Sequence, residues 1–240
     1  MTYRLVAWDV DHTLVENAGI SKRIYSTAYR ALTGTDPEFP PQTEGRTDRA
    51  IMRLLFALHG RTLPQWEAVD RALTEVGLEY ARELRQVGFA LPGAKEALEC
   101  VDRAAGTIQT VLTGNIRANA YLKLSAFGLD RWLDLDIAAY GSDRTKRADL
   151  VPLMQARAES KYGLRFDAGN TIVVGDTPRD VEAGRLGGAR VIAVASGLYS
   201  VAELRHAGAP TVLAGLAETR LLLEAVSSAG GDVLEPPRRP

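Results

Sequence analysis

Leu5-Val6-Ala7-Trp8-Asp9-Val10-Asp11-His12-Thr13-Leu14 begins as an apolar run with a β-branched residue and ends in a polar cluster. That pattern predicts a buried strand ending at Asp9. Two carboxylates follow with one residue between them, and a hydroxyl comes two residues later. At the C-terminal end of a parallel strand such groups face the crevice in which open α/β sheets bind ligands. Two unpaired carboxylates there repel each other and are costly to desolvate, so a positive group is expected between them. Mg²⁺ suits the position, because it takes a few carboxylate oxygens together with waters and substrate phosphate. The plainer alternative is that Asp9 and Asp11 only start a turn, and an Asp-x-Asp-x-Thr match alone does not decide between the two.

Apolar runs bounded by turn residues recur later, at 107–112, 135–139, 171–175, 190–195 and 211–213, with helical periodicity between them. Alternating strand and helix predicts an α/β chain: a Rossmann-like parallel sheet core with helices on both faces. The first strand must join that sheet, yet residues 17 to 86 read as helical throughout. Ser21 is placed to cap the first of these helices, and Pro64 to open the last. The expected division is therefore a core over 1–16 and 88–226, an inserted all-helical domain over 17–87, and a mobile Gly/Pro-rich tail over 227–240.

The 240 residues carry 29 basic and 30 acidic side chains, a net charge of −1, which gives no footprint for nucleic acid or an acidic membrane surface. Cys100 has no partner for an internal disulfide and is expected as a buried structural thiol on a helix face. No apolar run is long enough to span a bilayer and no leader precedes the first strand, so a cytoplasmic protein is expected.

Three predicted strand ends carry polar groups of complementary kinds: Asp9/Asp11/Thr13, Thr113/Gly114/Asn115, and Asp176 with Asp180. Parallel strands place these on one edge of the sheet. A basic loop, Gly141 to Arg147, precedes a helix and offers a cation to the same crevice. In this set and order the sequence resembles the haloacid dehalogenase-like hydrolases. The resemblance spans Tyr3 to about Gly197 and rests on Asp-Val-Asp-His-Thr (9–13), Leu-Thr-Gly-Asn (112–115), a basic residue at 146 or 147, and Gly-Asp-Thr-Pro-Arg-Asp (175–180). The inserted helical block resembles that family's small cap, and Glu44-Gly45-Arg46-Thr47-Asp48 a cap loop of its phosphoglycolate-phosphatase-like branch.

The resemblance implies a Mg²⁺-dependent phosphatase acting on a small phosphorylated metabolite. It makes Asp9 the nucleophile that forms an aspartyl-phosphate. Asp11 becomes the general acid and then the general base, lending its main-chain carbonyl to the metal. As an acid, Asp11 is expected to keep a proton because other carboxylates are near. Thr113 and the amides of Gly114 and Asn115 would hold phosphoryl oxygens. Lys146 or Arg147 would offset their charge, the family register favouring Arg147 and residue type favouring Lys146. Asp176 would complete the metal site, with Thr13 and Asp180 in support. His12 stands where the family commonly has Gly and is expected to point away from the crevice. Arg46 is either a reader of a substrate anion or a solvated neighbour of a helix cap. His59 and His206 receive no role, and Trp66, Tyr80 and Trp132 read as core. Within the family, a phosphosugar mutase is an alternative, and so is a phosphonate hydrolase using Lys22 as its imine-forming amine. A non-catalytic phosphate-binding module is the reading from another class.

Overall fold

The computed structural model describes residues 3–228. Five strands form one parallel sheet: β1 (Arg4–Trp8), β4 (Thr107–Val111), β5 (Thr171–Gly175), β6 (Arg190–Val194) and β7 (Thr211–Leu213), in the order β4-β1-β5-β6-β7. β1 is paired on both sides, Ala7 lying opposite Thr110 and Val173. Helices cover both faces because the strand residues alternate. Val6, Trp8, Val111 and Val174 pack under α4 (Ala94–Asp102), α5 (Arg117–Ala126) and α9 (Thr219–Ser227). Leu5, Ala7 and Val173 face α6 (Leu150–Tyr162), while Val191 and Ala193 face α7 (Pro178–Gly187) and α8 (Val201–His206). The chain leaves β1 for β4 on one side and later returns to β5 on the other. The C-terminal end of β1 is thus the switch point at which such sheets open a crevice.

The inserted block is α1 (Ile20–Thr33), α2 (Asp48–Leu58) and α3 (Trp66–Val87). It has its own apolar cluster, with Ile24, Tyr29, Leu55, Phe56, Leu73 and Leu84 inside, and Trp66 and Tyr80 packed against it. Two short antiparallel strands, β2 (Val15–Glu16) and β3 (Phe89–Ala90), carry the chain out to these helices and back. They fall just outside the stretch read as helical.

Several expectations need correcting. Residues 135–139 do not form a strand: only Ala139 bridges to Leu112, because the neighbouring aspartates close local turns, Asp134 accepting from the Asp136 amide. Gly19, in the left-handed region at φ 80°, caps α1 in place of Ser21. α3 starts at Trp66, two residues after Pro64. Cys100 is half-buried. His59 has a structural role, its Nε2 accepting from the Glu38 amide at 2.8 Å and tying the Pro-rich loop to α2. Of the expected tail, Ser227 closes α9, and residues 229–240 lie outside the described residues.

Candidate active site

Beyond β1 the chain makes a tight turn in which Leu14 and Val15 both donate to the Val10 carbonyl. His12 holds a left-handed φ of 59°, unusual for a residue with a side chain. Its Nδ1 meets Glu16 at 3.0 Å, and the residue lies at the border of the cavity. The turn leaves Asp9 only 5% exposed and aims the buried Thr13 hydroxyl at Asp176, to which it donates at 3.1 Å. Asp176 follows β5, and the next residue, Thr177, caps α7. Thr177 and Asp180 form a reciprocal capping box, Asp180 Oδ2 accepting from the Thr177 amide at 3.0 Å and hydroxyl at 2.7 Å. Asp180 is held in the site by helix geometry, a Thr-x-x-Asp signal that the sequence displays.

Of the two basic candidates, the fold brings in Arg147. Its guanidinium lies 2.8 Å from Asp9 and 2.7 Å from Asp180. Lys146 is exposed, because Arg147 begins the short turn of helix at 147–149 that turns it inward. Carboxylate oxygens of Asp9, Asp176 and Asp180 lie within 4.8 Å of one another. Burial, and then the charges of Asp180 and Asp11, push Asp9 up to about 6 despite Arg147. Burial, and then the charges of Asp180 and Asp9, push Asp176 well above the ordinary carboxylate range. Three buried carboxylates against one guanidinium are short of positive charge. Oxygen-only donors of this kind fit a hard divalent cation. Gly197 keeps the approach to Asp176 narrow: a methyl group there would stand 1.9 Å from Oδ2.

The crowding gives a pH dependence of definite sign. Between the ordinary aspartate value and about 6, the folded chain retains protons that the unfolded chain has lost, so stability falls as pH rises through that window. For Asp9 alone this is on the order of 3 kcal/mol. The part of it that falls between pH 5 and pH 7.5 is about 1.4 kcal/mol, so metal-free protein is expected to melt roughly 3–5 °C lower at pH 7.5 than at pH 5. Saturating Mg²⁺ is expected to close most of that gap. Thermal melts in EDTA and in Mg²⁺ at both values check this; equal melting temperatures without metal would contradict the crowded-carboxylate reading.

Asp11 differs from what the sequence suggested. Its carboxylate lies outside the group of three and accepts from Lys123 at 2.7 Å on each oxygen, from Asn17 at 2.7 Å and from Asn115 at 2.9 Å. Burial is the largest influence and would raise its pKa, but Lys123, joined by the Asn115 hydrogen bond and His12, more than offsets it and holds the carboxyl below the ordinary range. The neighbouring carboxylates raise Asp9 and Asp176, and Asp11 rests as a carboxylate. Lys123 was missed in the sequence because a Lys within a helical run reads as a solvated charge. Its flanking positions Ala120 and Leu124 are core residues, and that was the available signal.

Thr113 is fully buried, and its hydroxyl oxygen accepts from the Asn115 side chain at 2.8 Å. Asn115 is turned toward Asp11 and Lys123, which leaves Thr113 and Gly114 as the loop residues facing the cavity without that engagement. The loop before α2 packs against them, the Asp48 amide reaching the Gly114 carbonyl. Thr47 caps α2 and donates to the Thr145 carbonyl at 2.7 Å. The buried Asp48 accepts from Tyr25 at 2.6 Å and from the Ile116 amide at 2.8 Å, and its own amide donates to Gly114 at 2.7 Å. A methyl group on Gly141 would lie 1.6 Å from the Gly114 carbonyl oxygen and 2.8 Å from the Asp48 nitrogen. Gly141→Ala is therefore expected to cost about 1–3 kcal/mol and to unseat cap and loop together. Lower melting temperature with at least tenfold lower kcat would show it; wild-type values for both would contradict the contact.

The cavity measures about 210 Å³ and is bordered by Asp9, Thr113, Arg147, Asp176, Arg46 and Tyr199. Both alternatives for position 46 meet here: Thr47 caps the helix, and half-buried Arg46 borders the cavity with no ion pair among the described residues. Lys22 also borders it, with its ammonium 2.9 Å from Glu44 at the mouth.

The sequence pattern described as haloacid dehalogenase-like hydrolase matches residues 6–185. A protein of Dickeya dadantii (strain 3937) named "Probable phosphatase IndB" is 27% identical over 209 residues, covering 85% of this chain and 86% of its own. Among solved structures, a hydrolase from Pseudomonas syringae superposes with a TM-score of 0.68 at 24% identity, covering 94% of this chain and 99% of that one. CbbY from Rhodobacter sphaeroides, in complex with phosphate, gives 0.68 at 20% identity, over 91% and 96%. At these identities the structures speak to fold.

Proposed function

The chain belongs to the haloacid dehalogenase-like hydrolase family, and from that membership we propose that it is a Mg²⁺-dependent phosphatase that cleaves a small phosphomonoester through an aspartyl-phosphate. The observation that carries this reading is the meeting of Asp9, Asp176 and Arg147 beside Thr113 in one small cavity. Arg147 borders the cavity beside Asp9, and its buried Nε has no acceptor among the described residues. A metal held by Asp9, Asp176 and the Asp11 main-chain carbonyl, with Asp180 in support, would supply positive charge that lets an anionic nucleophile approach an anionic ester.

Asp9 attacks phosphorus, and the leaving oxygen departs with a proton passed through Asp11. A phosphate monoester ionises its second proton near pH 6, so the substrate itself can bring that proton to a resting Asp11 carboxylate. Water then attacks the aspartyl-phosphate while Asp11 takes its proton, the role for which its resting state is suited. Throughout, Arg147 holds Asp9 in line, and Thr113 and the Gly114 amide hold the phosphoryl oxygens. A cavity of about 210 Å³ lies below the ~300 Å³ at which drug-sized pockets begin, which favours a short-chain substrate over a nucleotide. Arg46 is the candidate reader of an anionic group on it.

We take residues 17–87 as a cap that opens on the paired strands β2 and β3, with hinges near Glu16–Gly19 and Val87–Pro92. The phosphonate-hydrolase alternative is weakened because Lys22 is engaged by Glu44. A panel of phosphate esters, including short-chain carboxylated and sugar phosphates, assayed for released phosphate with Mg²⁺ and with EDTA tests the proposal. Metal-dependent release from small esters is expected. Silence across the panel would favour the binding module, and stable transfer between substrate hydroxyls the mutase.

A further inference from the structure

Lys123 is only 1% exposed, yet nothing in the phosphatase chemistry above calls for a lysine on α5. Its ammonium meets both Asp11 oxygens at 2.7 Å, Asn115 Oδ1 at 2.6 Å and the Ser21 hydroxyl at 2.8 Å. A buried ammonium is retained only where its acceptors repay the lost hydration, and here they all belong to one socket. Core residues Asn115 and Lys123 form one wall around the Asp11 carboxylate. Asn17 and Ser21, at the entry to the cap, form the other. Ser21 is itself fixed, its amide donating to Asn17 Oδ1 at 3.3 Å. Asp11 thus receives donors from two sides and has one direction available to it.

We infer that Lys123 is a positioning residue, which fixes the Asp11 carboxylate where it must stand to take a proton from the water that hydrolyses the aspartyl-phosphate. In that step the water oxygen bonds to phosphorus and its proton goes to Asp11. The Asp9–phosphorus bond breaks with its electron pair returning to Asp9, and inorganic phosphate leaves. The first displacement does not need this alignment when the leaving group departs easily. Loss of Lys123 should therefore slow the second half of the cycle and spare the first. The inference rests on the aspartyl-phosphate reading and adds a residue that reading does not require.

The test is rapid-mixing turnover of p-nitrophenyl phosphate by Lys123→Met, Asp11→Asn and the double variant. Lys123→Met is expected to show a burst approaching one nitrophenol per active site, followed by a steady rate about 100-fold below wild type, the size of a general-base contribution. A folding defect would lower burst and steady rate in proportion. The double variant leaves no carboxylate at position 11 stripped of its ammonium partner and so guards against misfolding from that cause. In it, Lys123→Met is expected to add no more than about twofold to the slowing caused by Asp11→Asn alone, because residues acting through one another are not additive. A burst in Asp11→Asn but none in Lys123→Met, or full additivity in the double variant, would overturn the role of Lys123. No burst in Asp11→Asn would overturn the general-base reading on which it stands, and absence of wild-type turnover would remove both.

Discussion

Asp9→Asn is expected to lower turnover on the order of 10⁴-fold or more, with no loss of fold, because an amide cannot form the covalent intermediate that divides the reaction into two displacements. The stability half of this prediction separates a chemical role from a structural one. Asp9 is one of three crowded carboxylates, and burial with repulsion from Asp180 and Asp11 already pushes it up to about 6. Asparagine removes that repulsion while its amide oxygen still accepts from Arg147. Metal-free Asp9→Asn protein should therefore melt at or above the wild-type temperature at pH 7.5, and its dependence on pH between 5 and 7.5 should shrink. A variant that is both inactive and less stable would indicate that the Asp9–Arg147 pair is structural.

Arg147→Met carries the second large effect, with the opposite sign for stability. The guanidinium bridges Asp9 and Asp180, which anchors the start of α7. Removing one partner of a buried ion pair leaves charge uncompensated and costs about 3–5 kcal/mol. For a chain of this length that is roughly 10–15 °C in melting temperature. Activity is expected to fall about 10²–10³-fold, the usual loss for a donor aimed at transition-state charge. The loss of stability should be smaller at pH 5 than at pH 7.5, since Asp9 then takes up its proton. Unchanged melting with full activity would assign the cation's task to another residue; exposed Lys146 would be the first to examine.

Most strand ends were legible because the sheet obeys simple rules: apolar runs, alternation, and glycine or aspartate where a run stops. Asp9, Thr113 and Asp176 were singled out that way, and in the structure all three border one cavity. What remained hidden depends on contacts between distant segments. Periodicity places Lys123 on a helix but not its ammonium on Asp11, 112 residues away. Nor does it show that Asp48 ties the cap to the Ile116 amide. The choice between Lys146 and Arg147 turned on where a short helical turn begins, a shift of one residue that spacing does not resolve. In the 135–139 run only Ala139 bridges to Leu112, while the Asp136 amide is turned back on the Asp134 carboxylate.

The central claim, that Asp9 itself bonds to phosphorus, is open to direct measurement. Enzyme turning over its best ester is quenched in acid, digested, and mapped by mass for a phosphoryl group on the peptide that contains Asp9. The account predicts an adduct on Asp9 that is lost in hydroxylamine, absent from Asp9→Asn and more abundant in Lys123→Met. A phosphoryl group on any other residue, or turnover with no enzyme-bound phosphoryl even in the variants slowed at the second step, would contradict it.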